Sequence, residues 1–488
     1  MTDQEVLGPI IDGKVVASGS TPKFKAIYPV DGKEICEIYS CGQEQTDAAV
    51  RSSEEAFKSW GKTSFGERAA VLEHIARIVE ENLEYFAKNE TLDTGKGIGE
   101  SLVQIGNSAK IYRYFASAIR SHEDRYIRYD NGTASVVIRE PFGSVGLILP
   151  WNAPSMLLSW KLAPALAAGN CAIVKPASVA SRAALNMVLR FQEALPPGVL
   201  NAVTGSGPDV GNALVKHPGI RKISFTGSTA VGREIGELCG NRLIPATLEL
   251  GGKSASVIFD DANIERAIQF VMLGSLSSAG QICIAGTRIL VQSTIYDSFV
   301  EKLKTKFDTL RVGDPMDSDT QMGPVINKNQ FDKVMGYIDS GIKDGARLVI
   351  GGERLTGGIY DKGYYIAPTL FADVKSDMTI ACEEIFGPVL SIMRFDTEEE
   401  AVSIANGTEY GLGASVWTKD INRAMRVSQA LEAGTVWVNF YLDSPAGSPF
   451  GGYKKSGMGR EIGKIAIDYY SNIKNINISS SDDVPPIF

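Results

Sequence analysis

Histidine is scarce in this sequence. Only three histidines occur among its 488 residues, and none lies in a glycine-rich phrase. Because a cysteine hydrolase needs a histidine partner for its thiol, this class of enzyme is disfavoured. The six cysteines are scattered and form no C-x-x-C pair, which favours a reduced, cytoplasmic compartment over a disulfide framework. We predict no metal site.

Long apolar runs and basic clusters are also missing. The uncharged stretch 142–160 is long enough to suggest a membrane span, but Pro150, Asn152 and Pro154 interrupt it. A strand, a turn and the start of a helix fit this stretch better. The first residues resemble neither a secretory signal nor a transit peptide. The net charge of −8, from 49 basic and 57 acidic residues, argues against nucleic acid. We therefore expect neither nucleic acid nor a membrane as a partner.

The length and the apolar pattern predict an α/β protein of two to three domains. The N-terminal third is helical, and Ser64 and Glu67 have the spacing of a capping box. From residue 145 onward, short apolar runs alternate with helix-length segments, which is typical of a Rossmann-like, doubly wound parallel sheet. The predicted strands of this sheet are 146–149, 171–174, 199–203, 222–225 and 247–250. In a second α/β block, the predicted strands are 254–259, 287–292, 389–395, 413–417 and 435–438.

A hairpin is predicted between Tyr126 and Arg139. Two strand-like runs flank Asn131 and Gly132, the pair most favoured for a type I′ turn. The exposed edges of an isolated hairpin need a partner. The alternating run 474–479 could pair with this hairpin or with a neighbouring subunit.

Two phrases carry the candidate chemistry. Cys283 lies among small, uncharged neighbours just after a helix-like run, and Glu249 is followed by two glycines. A thiol nucleophile and a separate carboxylate base are what covalent acyl transfer requires. Residues at the carboxyl ends of the strands in a doubly wound sheet share one ligand-binding crevice. Five polar or glycine positions lie at these ends, namely Asn152, Lys175, Gly205, Ser228 and Glu249.

These phrases resemble the aldehyde dehydrogenase superfamily. Its characteristic phrases occur here in order over residues 150–452, most of the chain. They are Pro150-Trp151-Asn152, Lys175-Pro176, Phe225-Thr226-Gly227-Ser228, Glu249-Leu250-Gly251-Gly252-Lys253, Gln281-Ile282-Cys283, Glu384-Ile385-Phe386-Gly387-Pro388 and Pro449-Phe450-Gly451-Gly452.

The resemblance implies oxidation of an aldehyde to the acid with NAD or NADP. In the family, the residue that matches Cys283 forms a thiohemiacetal and then a thioester, and the one that matches Glu249 activates the hydrolytic water. The Asn152 side-chain amide and the Cys283 backbone N–H would both donate to the oxyanion. Lys161 matches a family lysine near this site, although a surface lysine with a snorkelling stem fits the sequence equally well.

The resemblance also implies the cofactor site. Lys175 would contact the adenosine ribose. The helix start in the loop that begins with Gly205 or the one that follows Ser228 could receive a phosphate, and in the family the second does so. Ser178 replaces a glutamate that repels a 2′-phosphate in some relatives, and Lys175 and Arg182 add positive charge, so we predict that NADP is accepted. The predicted cofactor-binding residues are Leu149, Trp151, Lys175, Ser178, Gly205, Gly211, Phe225, Gly227, Ser228, Leu250, Glu384 and Phe386.

The substrate pocket is the least specific prediction. Trp160, Ile282, Ile284 and Tyr441 would line it, and plain core packing explains them almost as well. None of the four is charged, which favours an uncharged aldehyde.

The predicted domains follow the two α/β blocks. Residues 1–120 and 141–253 would form the dinucleotide-binding domain and 254–448 the catalytic domain. Residues 121–140 and 466–488 would form an oligomerisation arm for a homodimer or homotetramer.

Two alternatives remain within the resemblance. In a CoA-acylating relative a thiol carrier would release the acyl group, but such relatives generally lack the base that matches Glu249. A catalytically inactive structural relative would not need the intact set of Cys283, Glu249 and Asn152.

Overall fold

The computed structural model describes residues 7–17 and 22–479. Its N-terminal region is mainly helical, as predicted. Its strands are β1 (Ile10–Ile11), β2 (Lys14–Val15), β3 (Lys23–Ile27) and β4 (Glu34–Tyr39). Its helices are α1 (Gln43–Trp60), α2 (Phe65–Glu81), α3 (Leu83–Thr94) and α4 (Ile98–Arg120). The predicted capping box is present, because Ser64 Oγ accepts from the Glu67 N–H at 3.2 Å and the Glu67 carboxylate accepts from the Ser64 N–H at 2.7 Å.

The predicted hairpin is formed by β5 (Arg125–Arg128) and β6 (Thr133–Pro141). Its turn is not type I′, because Gly132 has a φ of 78° whereas Asn131 does not have a positive φ. The Gly132 N–H donates to Tyr129 O and the Tyr129 N–H donates to Thr133 O. The type I′ prediction was wrong, since these bonds define a longer loop that ends in a left-handed glycine.

The first large sheet has the Rossmann-like strand order β9-β8-β7-β10-β11, and its five central strands are parallel. All five predicted strands are present. Helices cover both faces of the sheet, which explains why its strands read as continuous apolar runs. The elements are β7 (Ser144–Ile148), α5 (Pro154–Ala168), β8 (Cys171–Lys175), α6 (Arg182–Phe191), β9 (Leu200–Ala202), α7 (Asn212–Lys216), β10 (Lys222–Thr226), α8 (Thr229–Arg242) and β11 (Ala246–Glu249).

The second large sheet has the order β14-β15-β16-β13-β12-β18-β19 and is parallel except for β14. The five predicted strands are present, and β14 and β15 are additional. The elements are β12 (Ala255–Ile258), α9 (Ile264–Leu276), β13 (Arg288–Gln292), α10 (Tyr296–Phe307), α11 (Lys328–Lys343), β14 (Arg347–Ile350), β15 (Thr369–Ala372), α12 (Thr379–Cys382), β16 (Val389–Phe395), α13 (Glu398–Asn406), β17 (Tyr410–Gly411), β18 (Gly413–Trp417), α14 (Ile421–Ala430) and β19 (Thr435–Val438).

The last segment returns from the second sheet to the first. Its elements are β20 (Tyr453–Lys454), β21 (Gly457–Met458), α15 (Ile465–Tyr469) and β22 (Ser471–Ser479). β20 pairs with β17, β21 extends the first sheet beside β11, and β22 pairs along its whole length with β6. The run 474–479 thus pairs with the hairpin of its own chain.

The domain boundaries remain predictions, and residues 1–6, 18–21 and 480–488 of the predicted domains lie outside the described residues. The stretch 142–160 forms a strand, a turn and the start of a helix, as predicted. No helix in the described part of the chain is long and apolar enough to cross a membrane. Nor do the described residues contain a group of three or more His, Cys, Asp or Glu side chains that could hold a metal ion.

Candidate active site

The carboxyl ends of four parallel strands meet at one edge of the first sheet. Ile148 at the end of β7 lies opposite Lys175 of β8 and Phe225 of β10, and Thr226 lies opposite Glu249 of β11. The residues that follow these strands therefore share one crevice, which is the usual ligand position in a doubly wound sheet.

Cys283 follows a tight turn after α9, and we call residues 277–283 the nucleophile turn. Ser278, Ala279 and Gly280 have successive φ values of 51°, 53° and 73°, in the left-handed region. A Cβ on Gly280 would lie 2.2 Å from the carbonyl oxygen of Gly387, so only glycine fits there. The turn brings the chain from the helix sharply back towards the first sheet, and Cys283 lies at the predicted helix-to-loop junction.

Two loops of the first sheet hold the nucleophile turn. Asn152 Nδ2 donates to the carbonyl oxygen of Gln281 at 2.9 Å. A Cβ on Gly252 would lie 2.4 Å from the carbonyl oxygen of Cys283, so the glycine allows the two backbones to touch. An amide nitrogen carries two hydrogens, which leaves one N–H of Asn152 for a further acceptor.

The electrostatic surroundings of Cys283 favour the protonated thiol. Desolvation and then the negative charges of Glu384 and Glu249 raise the pKa of Cys283 to about 12, although the backbone N–H groups of Ile284 and Cys283 act in the opposite direction. A thiol attacks as the thiolate. Its proton must therefore pass to a base before or during attack.

Glu249 has the surroundings of a general base. Its side chain is buried, at 3% exposure, and neither carboxylate oxygen has a hydrogen-bond partner among the described residues. Burial, followed by the charge of Glu461, raises the pKa of Glu249 well above its usual range, while Lys161 and Arg460 lower it. A Cβ on Gly451 would lie 2.8 Å from Oε1, so the glycine leaves room beside the carboxylate. A carboxylate with a raised pKa and no protein partner is suited to take a proton from water.

Lys161 is fully buried, so the alternative of a surface lysine was wrong. Its ammonium forms an ion pair with Glu461 and donates to Thr226 Oγ1 at 2.7 Å and to Ser224 Oγ at 3.2 Å. Glu461 was not predicted from the sequence. A buried ammonium needs a counterion, but the burial of Lys161 could not be read from the sequence, so no signal pointed to Glu461.

Lys175 lies at the end of β8 as a buried cation without a protein partner. It is 4% exposed, and its ammonium has no hydrogen bond or ion pair within the described part of the chain. Burial lowers the pKa of Lys175 to about 8. Ser178 Oγ donates to Gly205 O at 2.8 Å. Burial raises the pKa of Asp93 to about 7, and the charge of Arg182 acts in the opposite direction, so part of the positive charge that the sequence suggested for the crevice acts on Asp93.

Two helix starts in the crevice differ in their fit to a phosphate. At the loop that begins with Gly205, Ser206 Oγ accepts from the Asp209 N–H and donates to the Asp209 carboxylate, so negative charge already lies there. At α8, Ser228 Oγ accepts from the Val231 N–H at 3.4 Å, and no acidic residue lies in the first turn. The start of α8 therefore suits an anion better. Together with Lys175, whose ammonium has no partner among the described residues, it fits a dinucleotide, and all the cofactor-binding residues remain predictions.

A second group of predicted cofactor residues lies beside the nucleophile turn. Glu384 Oε1 accepts from the Gly252 N–H at 3.1 Å. The rings of Phe386 and Trp151 meet edge to face, 5.1 Å apart, and Phe386 has a φ of 60°. A strained backbone at a bulky residue is typical of a functional site. Leu250 packs over α8, against Gly232.

The four predicted pocket residues differ in their surroundings. The ring centroids of Trp160 and Phe450 lie 4.9 Å apart, in an edge-to-face arrangement. Ile284 is buried and Ile282 is half-buried. Tyr441 is buried, and its hydroxyl donates to Ile284 O at 2.6 Å. This contact favours a packing role for Tyr441 behind the nucleophile turn.

Comparisons with known proteins agree with this geometry. The model of the aldehyde dehydrogenase family matches residues 15–476. A solved structure of a candidate aldehyde dehydrogenase from Burkholderia cenocepacia is 38% identical, with a TM-score of 0.97 and 99% coverage of each chain. The NAD+ complex of betaine aldehyde dehydrogenase from Staphylococcus aureus is 35% identical, with a TM-score of 0.96, and the match covers 99% of this chain and 96% of that one.

Proposed function

The chain belongs to the aldehyde dehydrogenase family, as an NAD(P)-dependent enzyme, and we propose that it oxidises an aldehyde to the carboxylic acid by covalent catalysis at Cys283. The observation that carries this proposal is the convergence of three groups. Asn152 binds the turn of Cys283, and the charge of Glu249 acts on the Cys283 thiol.

In the first half-reaction, the Cys283 sulfur attacks the carbonyl carbon of the aldehyde and forms a thiohemiacetal. The thiol proton passes to a base, for which we propose Glu249, because neither of its carboxylate oxygens has a hydrogen-bond partner among the described residues, whereas Glu384 already accepts from the Gly252 N–H. The second N–H of Asn152 and the backbone N–H of Cys283 stabilise the negative charge on oxygen; each such donor contributes about 3–4 kcal/mol. When bound, NAD(P) supplies the hydride acceptor, so that a thioester on Cys283 results.

In the second half-reaction, Glu249, after releasing the thiol proton to solvent, takes a proton from a water molecule that attacks the thioester and passes this proton to the departing sulfur. The carbon–sulfur bond breaks, the acid leaves and the thiol is restored. The buried Lys161–Glu461 pair lies near enough to Glu249 to influence its charge, and we propose that Lys161 tunes this base in place of contacting the substrate.

Lys175, Ser228 and the start of α8 are the residues that we propose for the adenosine and phosphate part of the cofactor. The S. aureus relative binds NAD+, and we propose the same cofactor here. Trp151, Glu384 and Phe386 would hold the nicotinamide end beside Cys283. Trp160, Ile282 and Ile284 bring no charge to the pocket, so we propose an uncharged aldehyde.

Product analysis tests the proposed reaction. With a panel of aliphatic, aromatic, hydroxy and amino aldehydes, each reduced cofactor formed should be matched by one molecule of free acid. Adding CoA should give no acyl-CoA, because Glu249 provides a base for water. Acyl-CoA as the main product would favour the CoA-acylating alternative, and no turnover on the whole panel would favour a structural relative.

NADP is expected to serve as a second cofactor. Ser178 brings no negative charge to the ribose, and the nearby ammonium of Lys175 has no anionic partner among the described side chains. Turnover with NADP should therefore exceed about a hundredth of the turnover with NAD, since like-charge repulsion of a 2′-phosphate is absent. The measurement is kcat/KM with both cofactors. A ratio below this limit would contradict the prediction.

The edge of β22 is the surface that we propose for self-association. β22 is an edge strand of its sheet, and its side chains Ile473, Ile476 and Ile478 are exposed to different extents, from 42% to 70%. An exposed apolar edge strand favours pairing with another chain. We propose a homodimer or homotetramer, and light scattering of the protein in solution tests this. The cytoplasmic location remains a prediction from the scattered cysteines.

A further inference from the structure

A row of polar side chains at the junction of α3 and α4 has no part in the chemistry described above. Lys96 donates to Glu90 Oε1 at 3.0 Å, and the two side chains are 1% and 0% exposed. Lys96 also donates to Gln104 Oε1 at 2.6 Å, and Gln104 Nε2 donates to Glu100 Oε1 at 2.9 Å. We call Glu90, Lys96, Gln104 and Glu100 the junction network.

One end of the junction network holds the helix that follows Asn152. Glu90 Oε2 accepts from Ser155 Oγ at 2.6 Å and from the Ser155 N–H at 3.3 Å. Ser155 lies in the first turn of α5, three residues after Asn152, and is 1% exposed. The carboxylate therefore binds the helix at its positive end.

The other end of the network holds the nucleophile turn. Glu100 Oε2 accepts from the Ser278 N–H at 2.9 Å, and Glu100 Oε1 accepts from Ser278 Oγ. Ser278 is not glycine, yet its φ is 51°, a conformation that persists only where neighbouring groups enforce it. The two bonds from Ser278 to Glu100 supply this enforcement.

The fixed position of Ser278 is transmitted to the nucleophile. The Ser278 carbonyl oxygen accepts from the Gln281 N–H at 3.1 Å and from Gln281 Nε2 at 2.8 Å. Gln281 lies two residues before Cys283, and its carbonyl oxygen in turn accepts from Asn152 Nδ2. Every step from Glu100 to the residues around Cys283 is thus a hydrogen bond or a short turn.

We propose that Glu100 is a positioning residue for the reaction at Cys283. By binding Ser278 it fixes the nucleophile turn, and through the junction network it holds this turn in register with the helix that follows Asn152. The inference rests on the proposed function, because Cys283 must be the nucleophile for its position to matter. Glu100 itself touches neither the thiol nor the base.

Replacing Glu100 with alanine should slow the first turnover. We expect the pre-steady-state burst of reduced cofactor and the alkylation of Cys283 by iodoacetamide to fall by about tenfold to a hundredfold, as a displacement of about 1 Å can cause. The dissociation constant for NAD should stay within about twofold of the wild-type value. Glu100→Gln should recover most of the burst, because its amide oxygen still accepts from the Ser278 N–H.

Arg113→Ala provides a matched control on the same helix. Arg113 binds Glu73 and Glu80 of α2 and has no contact with the junction network. Its burst should equal that of the wild type. If Glu100→Ala and Arg113→Ala show the same burst and the same alkylation rate, the proposal is overturned.

A second variant covers the case in which Glu100→Ala does not fold. Ser278→Ala removes only the hydroxyl bond to Glu100, and its burst should also be slower; an unchanged burst overturns the proposal. In folded variants, Glu100→Ala combined with Ser155→Ala should be non-additive, because both residues act through one network. Cys283→Ala separates the two ideas: if it retains oxidation, the proposed function fails, whereas an inactive Cys283→Ala beside a normal Glu100→Ala rejects only the positioning role.

Discussion

Cys283→Ala is expected to abolish aldehyde oxidation and to leave cofactor binding intact. Alanine cannot form the thiohemiacetal, and Asn152 would then have no adduct oxygen to stabilise. Removing the nucleophile of a covalent mechanism lowers kcat by more than about ten-thousandfold. The measurement is the steady-state formation of reduced cofactor, together with the dissociation constant for NAD from fluorescence titration.

Cys36→Ala is the control for this result. Cys36 lies on β4, which pairs with β3 and belongs to neither of the two large sheets. This variant should oxidise the aldehyde at the wild-type rate. Residual oxidation by Cys283→Ala within about tenfold of the wild type would contradict covalent catalysis at this position, since the loss would then be too small for a missing nucleophile.

Glu249→Gln is expected to separate the two half-reactions. The first turnover should still give a burst of reduced cofactor, whereas the steady-state rate should fall by about a hundredfold to ten-thousandfold, because water loses its base. Acyl-enzyme should then accumulate on Cys283 and be visible by mass spectrometry of the intact protein. Loss of the burst together with the steady state would assign Glu249 to the first step instead.

The hydrolysis step is expected to depend on pH through Glu249. Burial raises the pKa of Glu249, and a carboxyl group acts as a base only when it is deprotonated. The hydrolysis rate of the wild type should therefore rise with pH through this raised pKa, and Glu249→Gln should lack that rise. The folded state binds the Glu249 proton more tightly than the unfolded chain does. Protonation of Glu249 therefore adds to the free energy of unfolding below the unfolded pKa, and this contribution is lost as the pH rises through the folded pKa. Glu249→Gln should therefore melt no lower than the wild type at mildly alkaline pH.

The sequence predicted the two large sheets because their strands are buried on both faces. Such strands read as short continuous apolar runs, and ten of them were located to within two residues. β14 and β15 escaped detection: β14 is a largely exposed edge strand, whereas β15 is buried and was missed although strands as short as β9 were found. The pair Asn131-Gly132 predicted the hairpin correctly and its turn incorrectly, since the same pair also suits a loop with a single left-handed glycine.

The sequence was less informative about contacts between distant residues. Asn152, Glu249 and Cys283 could be chosen because each lies in a glycine-rich or strand-end phrase. The partners Lys161 and Glu461 lie 300 residues apart, and Glu100 lies 178 residues from Ser278. No local pattern links such pairs, because only the folded chain brings them together. For the same reason, the burial of Lys161 could not be distinguished from a surface position.

The segment that returns from the second sheet to the first gives the enzyme a late step of maturation. Phe450 reaches Trp160, Gly451 lies beside the carboxylate of Glu249, and Glu461 neutralises Lys161. During translation, Cys283 leaves the ribosome well before these contacts can form. A nascent polypeptide would thus carry the proposed nucleophile through most of its synthesis without these contacts, and we expect a fragment released before they form to be inactive.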